Sequence, residues 1–320
     1  MDKTIKVGLL GCGTVGGGVL LVLQKNKEII AKKTGCPIEI KTVLVRDKQK
    51  LKPEIKKFKI PVTEDPETIF NDPEIDVVVE LIGRVHPAKE YIEAALRKGK
   101  SVVTANKDVL AEYGDELFAL AAEKKVDFQF EGAVGGGIPI IRPLRSCLAA
   151  NQISGIMGIV NGTTNYMLTR MSQEGLAYAD ALAEAQAKGY AEADPTADVE
   201  GLDAARKIAV LASLAFNTRL TLQDVHVEGI DNLDACDVAY ADDLGYAVKL
   251  LGIAKKHPEY GISANVYPVM LPKDHPLASV NDVYNAVFVN GDAVGDAMFL
   301  GRGAGRMPTA SAVCGDLIDT

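Results

Sequence analysis

Five carboxylates and a lysine are concentrated in residues 189–207, GYAEADPTADVEGLDAARK. Lys207 follows Asp203 by four residues, a spacing that places both side chains on one face of a helix. On a surface such a pair contributes only a few tenths of a kcal/mol. In a cleft it would be a proton-transfer unit, a lysine with a shifted pKa and an acid that orients it. The spacing alone favours the surface pair.

A glycine-rich motif, GCGTVG, directly follows the apolar segment TIKVGLL near the start of the chain. Between a strand and a helix, Gly11 allows a tight turn, Gly13 lets the backbone approach a pyrophosphate, and Gly16 lets the helix pack on the strand. The pyrophosphate then lies at the helix N-terminus, where free N–H groups favour anions. The motif, with Thr14 and Val15, therefore predicts a dinucleotide site. The alternative is a glycine-rich turn without a ligand.

Basic residues follow the second predicted strand, whose end reads VLVRDKQK. An acid at this position binds the ribose hydroxyls of NAD, whereas an arginine suits the 2′-phosphate of NADP. Arg46, with Lys48 and Lys50 nearby, therefore predicts NADP. Asp47 keeps NAD open, and a solvated run of charges is the alternative to both.

Strands and helices alternate in residues 4–134. Apolar segments predict strands at 4–10, 38–45, 74–83, 101–107 and 126–134. Periodic segments predict helices at 14–31, 87–100 and 115–125. This alternation indicates an α/β fold, a Rossmann-type doubly wound parallel sheet. Lys107 would follow the fourth strand, where such sheets bind ligands, although a surface lysine fits the position equally well.

The pattern changes after GGGIPI at 135–140. Strands are predicted at 153–160, 262–272 and 284–292, and helices near 141–149, 163–173, 178–188 and 201–215. We therefore predict a second, α+β domain over 135–302. We expect the glycine-rich segment and helix of 303–320 to return to the first domain, residues 1–134, and complete it.

Composition argues against several classes of function. A length of 320 residues suggests two domains. The net charge of −8 argues against nucleic acid or an anionic membrane as partner. Five scattered cysteines without a CxxC pair argue against zinc or a disulfide framework and fit a reducing cytoplasm. The sequence shows neither the ~18-residue apolar run of a membrane span nor a signal peptide.

Six motifs, taken in order, resemble homoserine dehydrogenase over nearly the whole chain. They are GCGTVGGGV, VVTANK, EGAVGGGIPII, IVNGTTNYML, GYAEADPTADVEGLDAARK and GRGAGRMPTASAV. The resemblance implies a Rossmann domain joined to a mixed α/β domain that binds substrate and forms a homodimer. It also implies reversible hydride transfer between L-homoserine and L-aspartate 4-semialdehyde with NAD(P), on the route to threonine and methionine.

The resemblance assigns roles to the charged residues. Lys207 is the implied proton donor and acceptor for the C4 oxygen of the substrate, and Lys107 helps to hold that oxygen. Glu192 and Asp203 would bind the substrate amino group or a water molecule, which suits acids facing an ammonium. Asp198 has a supporting role.

Further cofactor and metal contacts are implied by resemblance. The additional cofactor-binding residues are Gly83, Thr104, Lys107, Gly189, Gly303 and Gly305. The turn EGAVGGGIPI resembles a family sodium site, whose ligands would be backbone oxygens of Glu131, Val134, Gly136 and Ile138. Oxygen ligands from a tight loop suit a hard cation, and a glycine-rich hinge without metal is the alternative.

Two departures from the family pattern leave questions open. Arg84 stands where a second glycine is usual, so an effect on cofactor choice is open. The sequence shows neither the regulatory C-terminal domain nor the N-terminal kinase that some members carry, so we expect weak or no inhibition by threonine. The rival functions are an NADP-dependent sugar or polyol oxidoreductase and a Rossmann redox sensor. Neither requires NGTTNYML, and NADPH oxidation assayed with aspartate semialdehyde against sugars separates them.

Overall fold

The computed structural model describes residues 3–50 and 52–320. Two compact units divide the chain. The first ends at Gly137 and resumes at Ala304, and the second is the continuous segment Ile138–Gly303. The first unit is therefore interrupted in sequence by the whole of the second.

The sheet of the first unit has six parallel strands. They are β1 (Ile5–Leu10), β2 (Ile38–Leu44), β3 (Val62–Thr63), β4 (Val77–Glu80), β5 (Ser101–Thr104) and β6 (Phe128–Gln129). Their order is β3-β2-β1-β4-β5-β6, and every neighbouring pair is parallel. The order reverses between β1 and β4, which is where doubly wound sheets bind ligands. The predicted α/β class is confirmed.

The helices of this unit differ from the predicted ones mainly in their ends. They are α1 (Thr14–Lys25), α2 (Lys27–Thr34), α3 (Pro53–Lys56), α4 (Glu67–Phe70), α5 (Ala88–Arg97) and α6 (Lys107–Lys124). The single helix predicted at 14–31 is wrong, because the chain breaks between α1 and α2 at Asn26. The helix predicted at 115–125 begins eight residues earlier, because the Asn106 side chain accepts the Val109 N–H and caps it. Lys107 is therefore the first residue of a helix, not the last of a strand.

Besides the strand predicted at 101–107, which ends at Thr104, two predicted strands are much shorter in the structure. The segment predicted at 74–83 is a strand only over β4, and the one predicted at 126–134 only over β6. Glu131–Ala133 form a 3₁₀ turn, followed by Gly135 and Gly136 at φ +74° and +55°. The 3₁₀ turn therefore replaces the end of the predicted strand, and glycine adopts the left-handed conformations that follow it without a steric penalty.

The second unit is built on a mixed sheet packed with helices, so the predicted α+β class is confirmed. Its strands are β7 (Ile153–Ile159), β8 (His226–Val227), β9 (Tyr246–His257), β10 (Gly261–Pro272), β11 (Tyr284–Gly291) and β12 (Gly295–Arg302). The order is β12-β11-β7-β9-β10-β8, antiparallel except between β10 and β8. The sequence prediction missed β8, β9 and β12.

Five helices belong to the second unit. They are α7 (Gly162–Glu174), α8 (Tyr178–Ala187), α9 (Thr196–Val199), α10 (Leu202–Phe216) and α11 (Ala235–Asp243). The helix expected near 141–149 is only a π-helical turn, Pro143–Cys147. Helix α10 packs closely on β9. A β-carbon on Gly252 of β9 would lie only 3.1 Å from Ile208 of α10.

A last helix, α12 (Arg306–Asp319), belongs to the first unit. Its residues Ala310, Val313, Cys314 and Leu317 are buried in one core with residues of β1, α1, β2 and β4. No helix within residues 3–50 and 52–320 is long and apolar enough to cross a membrane.

Candidate active site

The GCGTVG motif forms the turn between β1 and α1. Gly11 has φ +91°, and a β-carbon there would lie 2.8 Å from the carbonyl oxygen of Leu81. A β-carbon on Gly16 would lie 2.4 Å from the carbonyl oxygen of Gly11, so helix and strand meet closely. Gly13 is exposed, and nothing lies within 4 Å of the space that its side chain would fill. That open cradle fits a dinucleotide phosphate.

The start of α1 carries no negative charge of its own. Its N-cap, Gly13, provides no side-chain hydrogen bond, and no acid occurs in the first turn, which begins with Thr14 and Val15. The terminal N–H groups and the helix dipole therefore present positive potential that no local side chain neutralises.

Arg46 and Asp47, the two residues after β2 that could select the cofactor, differ in their partners. Arg46 is exposed and makes no ion pair or hydrogen bond with the described part of the chain. Asp47 instead accepts the Gln49 N–H at 2.9 Å and lies 3.4 Å from the ammonium of Lys50. Lys48 begins the 3₁₀ turn that ends at Lys50. The arginine is free for an anion, whereas the aspartate is already engaged.

Glu80, which sequence reasoning missed, organises the ends of β4 and β5. Its carboxylate is fully buried and accepts the Ile82 N–H at 2.6 Å, the Gly83 N–H at 3.3 Å and the Thr104 hydroxyl at 2.6 Å. Burial raises the pKa of Glu80 above its ordinary value, and these hydrogen bonds oppose the rise. The available signal was an acid closing the apolar run VVV. Thr104 thus uses its hydroxyl within the protein.

Asn106 connects these strand ends to α6. Its side-chain N–H donates to the Arg84 carbonyl at 2.8 Å, and its backbone N–H donates to Thr104 Oγ1 at 3.0 Å. Lys107 follows, partly exposed, at the first turn of α6. Arg84 has φ +62°, a left-handed conformation that favours glycine. A glycine would adopt this conformation without the steric penalty that Arg84 meets.

Asp203 and Lys207 form a largely buried ion pair in the second unit. The Lys207 ammonium lies 2.6 Å from Asp203 Oδ2 and donates to the Val160 carbonyl at 2.8 Å. Their side chains are 10% and 11% exposed, so this is not the surface pair that spacing alone favours. An ammonium has three donors, and these two contacts leave one without an acceptor in the described residues.

A carboxamide that the sequence analysis missed holds the two aspartates together. Asn161 donates to Asp198 Oδ1 at 2.7 Å and to Asp203 Oδ2 at 2.9 Å through one side-chain nitrogen. Its oxygen accepts the Thr164 N–H at 2.9 Å and caps α7. The available signal was its position before a helix in NGTTN, which is typical of an N-cap.

The other carboxylates of the acidic segment make no hydrogen bond to this cluster within the described residues. The Glu192 carboxylate is exposed and has no partner in the part of the chain described. Gly189 is exposed at φ +74°, in the turn after α8. Asp194 accepts both the N–H and the hydroxyl of Thr196, so it is a turn residue. Glu200 is the exposed C-cap of α9.

The glycines of the GRGAG segment have different surroundings. Gly303 is buried, and a β-carbon there would lie 2.0 Å from Nδ2 of Asn285. Any larger residue would displace that carboxamide, which is 1% exposed. Gly305 is exposed at φ +123° and precedes α12. Gly303 is thus required by packing and Gly305 by its backbone conformation.

The predicted sodium ligands fall on both sides of a unit boundary. Glu131, Val134 and Gly136 belong to the first unit and Ile138 to the second. The Glu131 N–H donates to Asp316 Oδ2 at 2.8 Å. The residues Val134 and Gly136 are buried, and their carbonyls accept no hydrogen bond in the described ranges. Those ranges contain no group of three or more His, Cys, Asp or Glu residues suited to a metal.

Known proteins match the chain along almost its full length. A family model described as "Homoserine dehydrogenase" matches residues 139–318, and one described as "Homoserine dehydrogenase, NAD binding domain" matches residues 11–131. The homoserine dehydrogenase of Bacillus subtilis (strain 168) is 49% identical over 316 residues, covering 99% of this chain and 72% of that protein.

Solved structures of homoserine dehydrogenases also align with nearly the whole chain. A homoserine dehydrogenase from Thiobacillus denitrificans aligns with a TM-score of 0.95 at 49% identity, over 99% of this chain and 73% of that one. A hyperthermophilic archaeal homoserine dehydrogenase in complex with NADPH aligns with a TM-score of 0.83 at 28% identity, over 99% and 97% of the two chains. Sequence, fold and both family models therefore agree that the chain belongs to the homoserine dehydrogenase family.

Proposed function

We propose that Lys207 is the general acid and base of the reaction that this chain catalyses. Family membership gives the reaction as the NAD(P)-dependent interconversion of L-homoserine and L-aspartate 4-semialdehyde, in amino-acid biosynthesis of the aspartate family. The observation that carries the proposal is the buried ion pair, in which Asp203 orients an ammonium that keeps one donor for a ligand.

The proposed proton transfer follows from the charge that develops on the substrate. The nicotinamide cofactor, held at the GCGTVG turn, supplies or accepts the hydride. Reduction of the aldehyde leaves alkoxide charge on the C4 oxygen, which the Lys207 ammonium stabilises and protonates. Oxidation needs the same lysine neutral, so that it accepts the hydroxyl proton. Oxidation of homoserine should therefore accelerate towards alkaline pH.

The surrounding residues suit substrate binding. Asp198 and Asp203 present carboxylates that Asn161 holds together, and Glu192 has an exposed, unpaired carboxylate. Acids of this kind bind the α-ammonium of an amino acid or a water molecule beside it. Lys107 is proposed to bind the C4 oxygen as a second cation.

Substitution of the lysine tests the proposal. Lys207→Ala should lower kcat by about 10²- to 10⁴-fold, remove the alkaline rise in oxidation rate, and leave the Kd for NADPH within about two-fold. Lys273→Ala is the matched control in the same unit, because Lys273 forms an exposed ion pair with Asp242 at 2.8 Å. Near-normal turnover by Lys207→Ala would overturn the assignment.

The cofactor is proposed to be NADP. Within the described residues Arg46, just after β2, makes no ion pair or hydrogen bond, whereas Asp47 accepts the Gln49 N–H and lies beside Lys50. Arginine at this position suits a 2′-phosphate, and an archaeal relative was solved in complex with NADPH. We expect NADPH to bind more tightly than NADH in calorimetric titrations, and the reverse order would reject NADP as the preferred cofactor.

A sodium ion, a homodimer and a cytoplasmic location complete the proposal. Sodium would bind the backbone oxygens of the 131–138 turn, where the carbonyls of Val134 and Gly136 accept no hydrogen bond from the described part of the chain. The dimer would use the exposed apolar side chains at the β12 edge of the second sheet. All five cysteines are free thiols, which fits the reducing cytoplasm.

A further inference from the structure

Arg306, the first residue of α12, extends along the first turns of α1 within the first unit. A β-carbon on Gly17 would lie 3.1 Å from Nη2 of Arg306, and one on Gly18 would lie 3.1 Å from its Cγ. Side chains at either position would therefore occupy the space of the arginine. The run of glycines in TVGGGV leaves room for both the stem and the guanidinium of Arg306.

The guanidinium charge has no partner among the described residues. Arg306 makes no ion pair and no side-chain hydrogen bond with residues 3–50 or 52–320, and its Nε atom is buried without an acceptor. An unsatisfied buried donor costs on the order of 1–3 kcal/mol. Arg97 in the same unit, by contrast, pairs with Glu93 at 2.6 Å. An anion bound from outside the protein would therefore supply the acceptors and the negative charge that Arg306 lacks among the described residues.

The positive charge of Arg306 also acts on the GCGTVG turn. Cys12 lies between Gly11 and Gly13, and burial raises the pKa of its thiol to about 11, while the positive charge of Arg306 opposes that rise. The adjacent start of α1 has neither a side-chain cap nor an acid in its first turn. The helix dipole and the guanidinium thus add to one positive potential around this turn.

We propose that Arg306 binds a phosphate group of the dinucleotide cofactor at the GCGTVG turn, in addition to Arg46 at the end of β2. A guanidinium presents a planar fork of donors that matches phosphate oxygens, and it stays charged at all relevant pH values. The pyrophosphate and the 2′-phosphate share this chemistry. The inference rests on the cofactor site proposed above and adds a residue of α12 to it.

Direct binding measurements on the full chain test this role. Arg306→Met keeps an apolar stem against Gly17 and Gly18 but removes the charge. We expect calorimetric titration with NADPH to show a Kd raised by about 10- to 100-fold. Arg97→Met is the matched control, because it changes the net charge equally, from −8 to −9, and should leave the Kd unchanged.

Titration with NADH distinguishes the two phosphates. Equal weakening for both cofactors assigns Arg306 to the pyrophosphate, whereas weakening confined to NADPH assigns it to the 2′-phosphate. An unchanged Kd for both cofactors would overturn the inference. Failure of the unsubstituted chain to bind either cofactor would contradict the cofactor site itself, a distinct result.

A second variant separates charge from packing. Arg306→Lys keeps the charge and most of the stem, so we expect it to recover most of the affinity lost in Arg306→Met. Thermal unfolding of both variants shows whether they are folded. If both are folded and the lysine variant binds as weakly as the methionine variant, the loss comes from packing and the proposed phosphate contact is wrong.

Discussion

At the scale of single residues, Asn161 determines how two negative charges coexist beside a lysine. One amide nitrogen serves Asp198 and Asp203 at 2.7 and 2.9 Å, while Asp203 also pairs with Lys207. Without that donor the aspartates would face each other with less compensation, in surroundings where hydrogen bonds to charged groups contribute about 1.5–3 kcal/mol each. The carboxamide is therefore a positioning group for the proposed acid–base pair.

Asn161→Ala should lower the free energy of unfolding by about 2–4 kcal/mol, because it removes two hydrogen bonds to carboxylates and the N-cap of α7. Urea titration measures the loss. Asn290→Ala is the control, since Asn290 donates to a single exposed carboxylate, Asp296, at 2.6 Å, and should cost less than about 1 kcal/mol. Equal losses in the two variants would contradict the bridging role.

The glycines of the first turn and the proposed acid–base lysine were easier to predict from sequence than the residues that support them. Gly11 and Gly16 occupy positions that a local turn dictates, and the structure shows the close approaches that require them. Glu80 and Asn161 act through partners 24 and 42 residues away. No local pattern encodes those contacts, so these two residues were missed.

At the scale of elements, Lys249 connects β9 by hydrogen bonds to helix α7 and to the loop at 280–284. Its buried ammonium donates to the Val280 carbonyl at 2.6 Å and to the side-chain oxygens of Asn281 and Asn165 at 3.0 and 3.2 Å. The Asn165 side chain, on α7, donates in turn to the carbonyls of Val280, Asp282 and Tyr284. A single cation thus connects strand, helix and the loop at 280–284.

This lysine should make the free energy of unfolding depend on pH in the alkaline range. Burial lowers the pKa of Lys249 from 10.5 to about 8. Between these values the unfolded chain binds more protons, so folded stability rises with pH and is lost as pH falls through about 8. Relative to Lys249→Met, the unsubstituted chain should therefore gain up to ~3 kcal/mol between pH 8 and 10.5. Urea titrations across that range measure it.

The control for this prediction lies on the same strand. Lys255 is exposed on β9, so Lys255→Met should differ from the unsubstituted chain by a constant amount at every pH. A constant difference for Lys249→Met as well would show that its ammonium is not desolvated enough to shift its titration.

Element types were easier to predict than element boundaries. The alternation of strands and helices predicted the sheet of the first unit, but α6 extends through Gly114, whereas the predicted helix began only at residue 115. A glycine inside a helix costs only about 1 kcal/mol, and the Asn106 cap offsets it. Strand β9 was missed although it is largely buried and follows directly on Gly245, whose φ of +86° marks a turn.

At the scale of the whole molecule, the second sheet ends in an apolar edge. Met298 and Leu300 on β12 pair with Phe288 and Ala286 on β11, and they are 39% and 54% exposed. Alternate residues of a strand share a face, so these side chains extend a buried apolar face to the sheet edge. Exposed apolar side chains at an edge strand favour association between chains.

Leu300→Asp should therefore convert the proposed dimer of 34.1 kDa chains into monomers, because it places a charge in the apolar interface. Sedimentation velocity measures the change. Ile29→Asp is the matched control, since Ile29 is 58% exposed on α2 in the first unit. A monomeric unsubstituted chain, or a dimer that survives Leu300→Asp, would refute this interface.

The interruption of the first unit has a consequence for the order in which the chain folds during its synthesis. Domains generally fold in the order in which they emerge, the N-terminal one first. Here the core around β1 and α1 lacks Ala310, Val313, Cys314 and Leu317 until α12 has been translated, whereas every residue of Ile138–Gly303 precedes α12 in the chain. We expect the segment Ile138–Gly303 to become protease-resistant during synthesis before the first unit does, because the first unit cannot complete its core without α12.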